Sequence, residues 1–192
     1  RMAIFASGAG SNAAKIVNYF RKSTLATVAL IVCNNPKAAV LTIADQEHIP
    51  TLIINREIFF HGNAYVPQLK EHNIDFIILA GFLWKIPSTL IGAFPNAIIN
   101  IHPALLPRYG GKGMYGMNVH EAVIRSGDTE SGISIHYVDE HYDNGDIIYQ
   151  ERCEISPSDT PSTLAKKIHT LEHAHFPRVI EQVINLRKSN SR

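Results

Sequence analysis

Asn100-Ile101-His102-Pro103 follows an apolar run and sets an amide and an imidazole two residues apart. In extended backbone that spacing puts both side chains on one side. An amide donor beside an imidazole is the equipment for stabilising an oxyanion and moving one proton. A hydrogen-bonded strand end is the plainer alternative. Gly8-Ala9-Gly10-Ser11-Asn12-Ala13 matches the pattern G-x-G-x-x-G/A, a tight turn that aims backbone N–H groups at an anion from a helix N-terminus. Dinucleotide binding also needs an acidic residue about 20 positions on, at the end of the second strand. Cys33-Asn34-Asn35 stands there instead. A single phosphate fits better, with the Ser11 hydroxyl and the Asn12 amide adding donors; a simple helix cap is the alternative.

Asp143 sits in His141-Tyr142-Asp143-Asn144-Gly145, where Asp and Asn-Gly are ordinary turn formers. A carboxylate near His102 would raise the imidazole pKa by favouring its charged form. His169-Thr170-Leu171-Glu172-His173 spells H-x-x-E-H, the order of one class of zinc-peptidase helix. Such a site needs a third protein ligand. Only Glu181 follows, about two turns along the same helix and poorly placed to converge. A polar helix face beside a substrate, with no metal, is the expected role. His48, His61 and His72 read as helix-end or loop residues, His120 as a helix-start residue and His136 as a satisfied core histidine in a strand.

These groups need a scaffold. Unbroken apolar runs at residues 2–7, 25–33, 75–79 and 97–100, with a short one at 50–54, read as buried strands. Helical patterns at 11–22, 38–48, 64–72 and 87–94 separate them. Together they predict a mostly parallel sheet covered on both faces. After residue 100 the style changes: a Pro/Gly-containing loop over 102–114, a helix near 118–125, and alternating strands at 132–138 and 146–155 forming an antiparallel hairpin. A helix over 158–186 closes the pattern. The expected class is α/β in a single domain over 1–192, with a phosphate-binding half over 1–100 and the catalytic loop, hairpin and C-terminal helix over 101–192.

Composition excludes several classes. With 18 Lys+Arg against 17 Asp+Glu, the net charge of +1 provides no global attraction for a nucleic-acid backbone. No apolar stretch approaches the roughly 18 residues of a membrane span, and no signal-peptide pattern opens the chain. Cys33 and Cys153 read as reduced, buried thiols. The expectation is a cytoplasmic protein that binds small molecules, neither nucleic acid nor membrane.

Ser7-Gly8-Ala9-Gly10-Ser11-Asn12, Leu79-Ala80-Gly81-Phe82, Asn100-Ile101-His102-Pro103-Ala104-Leu105-Leu106-Pro107, Tyr142-Asp143-Asn144-Gly145-Asp146 and Leu171-Glu172-His173 occur in this order. In that combination the chain resembles the folate-dependent phosphoribosylglycinamide formyltransferases along essentially its whole length. The resemblance implies a Rossmann-like formyltransferase fold. It also implies transfer of a formyl group from the co-substrate 10-formyltetrahydrofolate to the amine of glycinamide ribonucleotide in purine (IMP) biosynthesis. By resemblance, Asn100, His102 and Asp143 are catalytic, and Gly10, Ser11 and Asn12 bind the substrate phosphate. Glu172 and His169 make further substrate contacts, while Leu83, Trp84, Lys85, Ile86 and Asn100 meet the folate. The implied mechanism has Asn100 and a protonated His102 stabilise a tetrahedral oxyanion, with Asp143 holding His102 charged and aiding proton transfer.

Some segments depart from that family. Leu83-Trp84 replaces a frequent Met-Arg, residues 58–64 look shortened, and the glycine-containing segment 109–117 is longer and reads as a lid. By analogy, Leu106-Pro107 is expected to be a cis peptide. Formyltetrahydrofolate hydrolase and methionyl-tRNA formyltransferase share the chemistry but carry extra domains. A non-catalytic nucleotide-binding module would explain the glycine turn alone.

Overall fold

The computed structural model describes residues 1–63 and 65–190. The elements run β1 (Met2–Ala6), α1 (Ser11–Phe20), β2 (Val28–Cys33), α2 (Val40–Gln46), β3 (Thr51–Ile53), α3 (Arg56–Phe60) and α4 (Val66–Glu71). They continue with β4 (Phe76–Leu79), α5 (Ser88–Ala93), β5 (Ile98–His102), α6 (Met117–Ser126), β6 (Glu130–Tyr137), β7 (Ile147–Glu154) and α7 (Pro161–Asn190). No helix among the described residues is long and apolar enough to cross a membrane.

One seven-stranded sheet has the order β3-β2-β1-β4-β5-β6-β7. The first five strands pair in parallel, and β6 and β7 add antiparallel to that edge. β1, β2 and β4 are buried at every position, as strands covered on both faces must be. Their side chains join those of α1 and α7 in one apolar cluster that includes Phe5, Ile31, Ile78, Phe176 and Ile180. β1 lies between β2 and β4, so the strand order reverses there. Such a reversal opens a crevice at the carboxyl ends of the strands.

The β5–β6 register sets the chemistry's location. Asn100 faces His136 and His102 faces Ser134 across the pair. Fully buried Ser134 donates from Oγ to the Ala104 carbonyl (2.7 Å) and accepts from the Leu106 N–H (2.9 Å). Gln150 on β7 donates to that same Oγ and to the Leu106 carbonyl. The loop leaving β5 is thereby fixed from below, and its Leu106–Pro107 bond is cis.

Several local expectations are corrected. β2 begins at Val28 rather than 25, because Leu25 belongs to a turn in which its N–H meets Ser23 Oγ. α3 has no counterpart in the sequence reading: it is only five residues long, too short for a readable apolar period, and starts on the Asn55 side-chain cap. α4 begins at Val66, while Ala64, expected to open it, lies outside the described residues. β5 extends to His102, so the amide–imidazole pair stands on the strand itself. Cys33 is buried but Cys153 only partly so, on the outermost strand.

In the hairpin connection Asp143 takes the left-handed backbone (φ 50°). Gly145 is required by proximity: a Cβ there would lie 2.0 Å from the Tyr137 carbonyl oxygen. Gly145→Ala must therefore push the connection off the end of β6. A loss of roughly 1–3 kcal/mol is expected, read as a lower urea midpoint at unchanged m-value.

Candidate active site

A cleft of about 530 Å³ opens at the carboxyl ends of β1, β4 and β5. Gly10, Ser11, Asn12, Asn100, His102, Asp143, His169 and Glu172 all line it, as does Leu83. They come from five separate segments of the chain. Gly10 takes φ 76° at the start of α1, and a Cβ there would lie 2.7 Å from Val40 Cγ2. Only glycine lets the turn sit this close to α2. Asn12 follows in the first turn of α1, where its Nδ2 donates to Glu172 Oε2 on α7 at 2.9 Å. Both side chains are buried, and Asn12 Oδ1 has no hydrogen-bond partner.

The second cluster centres on Asp143. Its Oδ1 lies 3.5 Å from Asn100 Nδ2, 3.6 Å from His102 Nδ1 and 3.7 Å from His136 Nε2. Its Oδ2 accepts the Gly111 N–H at 2.9 Å, docking the glycine-rich loop onto the site. The tautomers follow from partners that can only accept. His136 Nδ1 lies 2.8 Å from the Tyr137 carbonyl, so it carries the proton and leaves Nε2 to accept from Asn100 Nδ2 at 3.1 Å. His102 Nε2 donates to the Tyr109 carbonyl at 2.7 Å, which leaves Nδ1 bare toward Asp143.

The charge states are set by burial and by the neighbouring groups. Burial pushes His102 below the ordinary imidazole range, and the Asp143 charge and the Tyr109 carbonyl pull it back only in part. Burial thus biases the free His102 ring toward its neutral form. Burial would raise Asp143, yet the neighbouring imidazoles and the Gly111 N–H hold it below the usual carboxylate range. The Glu172 carboxyl is shifted upward by burial, against the Asn12 amide and His169.

Sequence reasoning missed His136, His120 and Tyr109. His136 reads as core because a buried strand histidine follows the same alternation whether or not it meets a site. His120, 3% exposed on α6, lines the cleft with Nδ1 unpartnered, and burial pushes its pKa down to about 4. Tyr109 acts through its backbone, which no residue pattern reveals.

The folate segment divides. Leu83 borders the cleft, its N–H held by Ser7 Oγ. Trp84 packs in an aromatic group with Phe59, Phe60 and Phe82, and Arg56 lies 5.9 Å from its ring. Ile86 is buried in the core, and Lys85 reaches toward the Tyr142 ring. In the H-x-x-E-H segment the two histidine rings stack on each other at 6.2 Å while Glu172 is taken by Asn12. Among the described residues, no group of three His, Cys, Asp or Glu is arranged to hold a metal ion.

A protein-family model described as formyl transferase matches residues 1–180. Phosphoribosylglycinamide formyltransferase of Bacillus subtilis is 39% identical over 191 residues, covering 97% of this chain and 95% of that protein. The chloroplastic enzyme of the same name from Arabidopsis thaliana is 39% identical over 186 residues, 94% of this chain, which spans only 64% of that relative's length. The crystal structure of phosphoribosylglycinamide formyltransferase from Bacillus halodurans matches with a TM-score of 0.87 at 38% identity, covering 96% of this chain and 95% of that one.

The buried Glu172 yields a stability test. A carboxyl whose folded pKa is raised contributes stability that is full below its unfolded pKa and is lost as pH rises through the folded one. Glu172→Gln removes that loss while keeping an acceptor for Asn12. Its urea stability relative to the parent protein should therefore rise as pH climbs above the ordinary carboxyl value of 4.5. A pH-independent difference would mean that Glu172 is not a buried, upshifted acid.

Proposed function

The chain belongs to the formyl transferase family, and we propose that it moves the formyl group of 10-formyltetrahydrofolate onto the amine of N1-(5-phosphoribosyl)glycinamide, a step of purine (IMP) biosynthesis. The observation that carries this reading is one cleft holding both an anion-binding turn and an amide–imidazole–carboxylate cluster. Gly10, Ser11 and Asn12 receive the phosphate at the N-terminus of α1, with Glu172 and His169 as further substrate contacts. Leu83 and Asn100 border the folate. The reading takes residues 1–192 as one catalytic unit.

In the proposed reaction the substrate amine attacks the formyl carbon, and the carbonyl electron pair moves onto oxygen. Asn100 Nδ2–H meets that oxyanion. One of its hydrogens is held by His136, and the other makes only the long 3.5 Å contact to Asp143, which the oxyanion replaces. The attacking nitrogen becomes positive and sheds a proton to His102 Nδ1. Asp143, 3.6 Å away, then stabilises the new imidazolium. The proton passes to the folate nitrogen as its bond to the formyl carbon breaks. Burial keeps His102 ready to accept, and Asp143 makes acceptance favourable.

The test mixes the protein with the ribonucleotide and 10-formyltetrahydrofolate and follows folate absorbance. Asn100→Ala should lower kcat about 10²–10³-fold. The acid limb of kcat/KM should fall below pH 6.5, because His102 must be neutral and its pKa is depressed. Asp143→Asn removes the group that raises His102, so the limb should move to still lower pH while the rate drops. Folate consumption without the ribonucleotide would favour a hydrolase, and binding of both ligands without turnover a non-catalytic module.

A further inference from the structure

We propose that Tyr109 is a positioning residue for His102: Arg108, Ser126 and Asp128 clamp its phenol so that its backbone carbonyl holds the imidazole in place. The inference rests on the formyl-transfer reading for its catalytic meaning, though not for its geometry. The Tyr109 carbonyl accepts the His102 Nε2–H at 2.7 Å, which is the hydrogen bond that sets the tautomer and orients the bare Nδ1 toward Asp143. That carbonyl points where it does because Tyr109 adopts φ 58°, a left-handed conformation that L side chains rarely hold. Conformations of this kind persist when surrounding contacts over-determine them.

The phenol supplies those contacts. Its oxygen lies 2.6 Å from Asp128 Oδ2 and 2.6 Å from Ser126 Oγ, and it accepts from Arg108 Nη2 at 3.1 Å. Arg108 also pairs with Asp128 at 2.9 Å, and Ser126 Oγ reaches the Val123 carbonyl at 2.7 Å. Ser126 ends α6 and Asp128 stands in the turn before β6. The clamp thus ties the α6–β6 corner to the loop that leaves β5. An exposed Arg–Asp pair alone would be worth little, but this one closes around a tyrosine hydroxyl with three partners.

The next residues transmit any slip. A Cβ at Gly110 would lie 2.7 Å from Leu106 Cδ2 and 3.2 Å from Asp143 Cβ, and the Gly111 N–H holds Asp143 Oδ2. If the phenol loses its anchors, Tyr109 can relax toward negative φ. Its carbonyl then turns away from His102 while the backbone beside Asp143 shifts. A displacement near 1 Å at a reacting group costs about 100-fold in rate. His102 is faced by Asp143 from the β6–β7 connection, His136 from β6 and His120 from α6. The first pulls its pKa up and His136 pulls it down. The Tyr109 carbonyl adds an upward pull, which its loss removes.

The test is Tyr109→Phe, which keeps the ring and deletes the clamped hydroxyl. kcat should fall roughly 10–100-fold with KM changed by less than about threefold. The acid limb of the rate should move to lower pH, and the His102 pKa read from its imidazole ¹⁵N shifts in the unliganded protein should fall with it. Asp128→Asn, which keeps an oxygen for the phenol but loses the Arg108 ion pair, should give smaller changes of the same sign and serves if Tyr109→Phe does not fold. Wild-type kcat and an unmoved His102 titration in a folded variant, whatever its melting temperature, would overturn the clamp. The ¹⁵N titration needs no turnover. A shifted His102 in a protein that does not transfer formyl groups would uphold the clamp and discard the reaction. Turnover with an unshifted His102 would do the reverse.

Discussion

The antiparallel pairing of β6 on β5 is the constraint on which the site depends. Its register sets Asn100 opposite His136 and His102 opposite Ser134. One pair assembles the hydrogen-bonded amide and imidazole; the other bolts down the loop that leaves the strand. Register in a strand of period two cannot drift gradually. A slip of one residue would turn His136 and Ser134 to the opposite face together, and the site would lose an acceptor for Asn100 and its loop anchor at once. Ile133 and Ile135, both fully buried, oppose such a slip, because it would move them onto the face that now buries Ser134 and His136 and drive those polar groups into their place. Core packing and chemistry are therefore enforced by the same alternation.

The polar cluster above that pairing is balanced by opposed terms. Burial drives His102 toward neutrality and Asp143 toward protonation, while their proximity favours the ion pair. The outcome is a ring biased toward neutrality beside a carboxyl biased toward ionisation. The preparation is electrostatic and conformational at once, since Asp143 reaches the cluster only through a left-handed backbone, as Tyr109 does. Two L residues in that conformation flank the same imidazole, and each is held by hydrogen bonds to its side chain.

The parallel half of the sheet is legible in the sequence because strands covered on both faces leave unbroken apolar runs such as VALIVC and FIIL. The glycine turn is legible from its Gly-x-Gly spacing, although what requires Gly10 is the distant Val40, which leaves no room for a Cβ. The pairing of Asn100 with His102 follows from period-two geometry. That Asp143 meets them does not, because it depends on a long connection closing over β6. The charge of His102 was inaccessible for the same kind of reason. Proximity to Asp143 argues for an imidazolium, and only the depth of burial reverses the sign. The packing of Trp84 was illegible for a simpler reason: α3, too short to read, supplies the Phe59 and Phe60 rings that meet it.

The Asn12–Glu172 hydrogen bond joins residues 160 positions apart. Chain synthesis is vectorial, so the glycine turn emerges from the ribosome long before the carboxylate that completes its wall. Through that interval Asn12 has no Glu172 to bind, and the face of α1 that α7 will cover remains open. That wall is complete only once α7 has docked on α1.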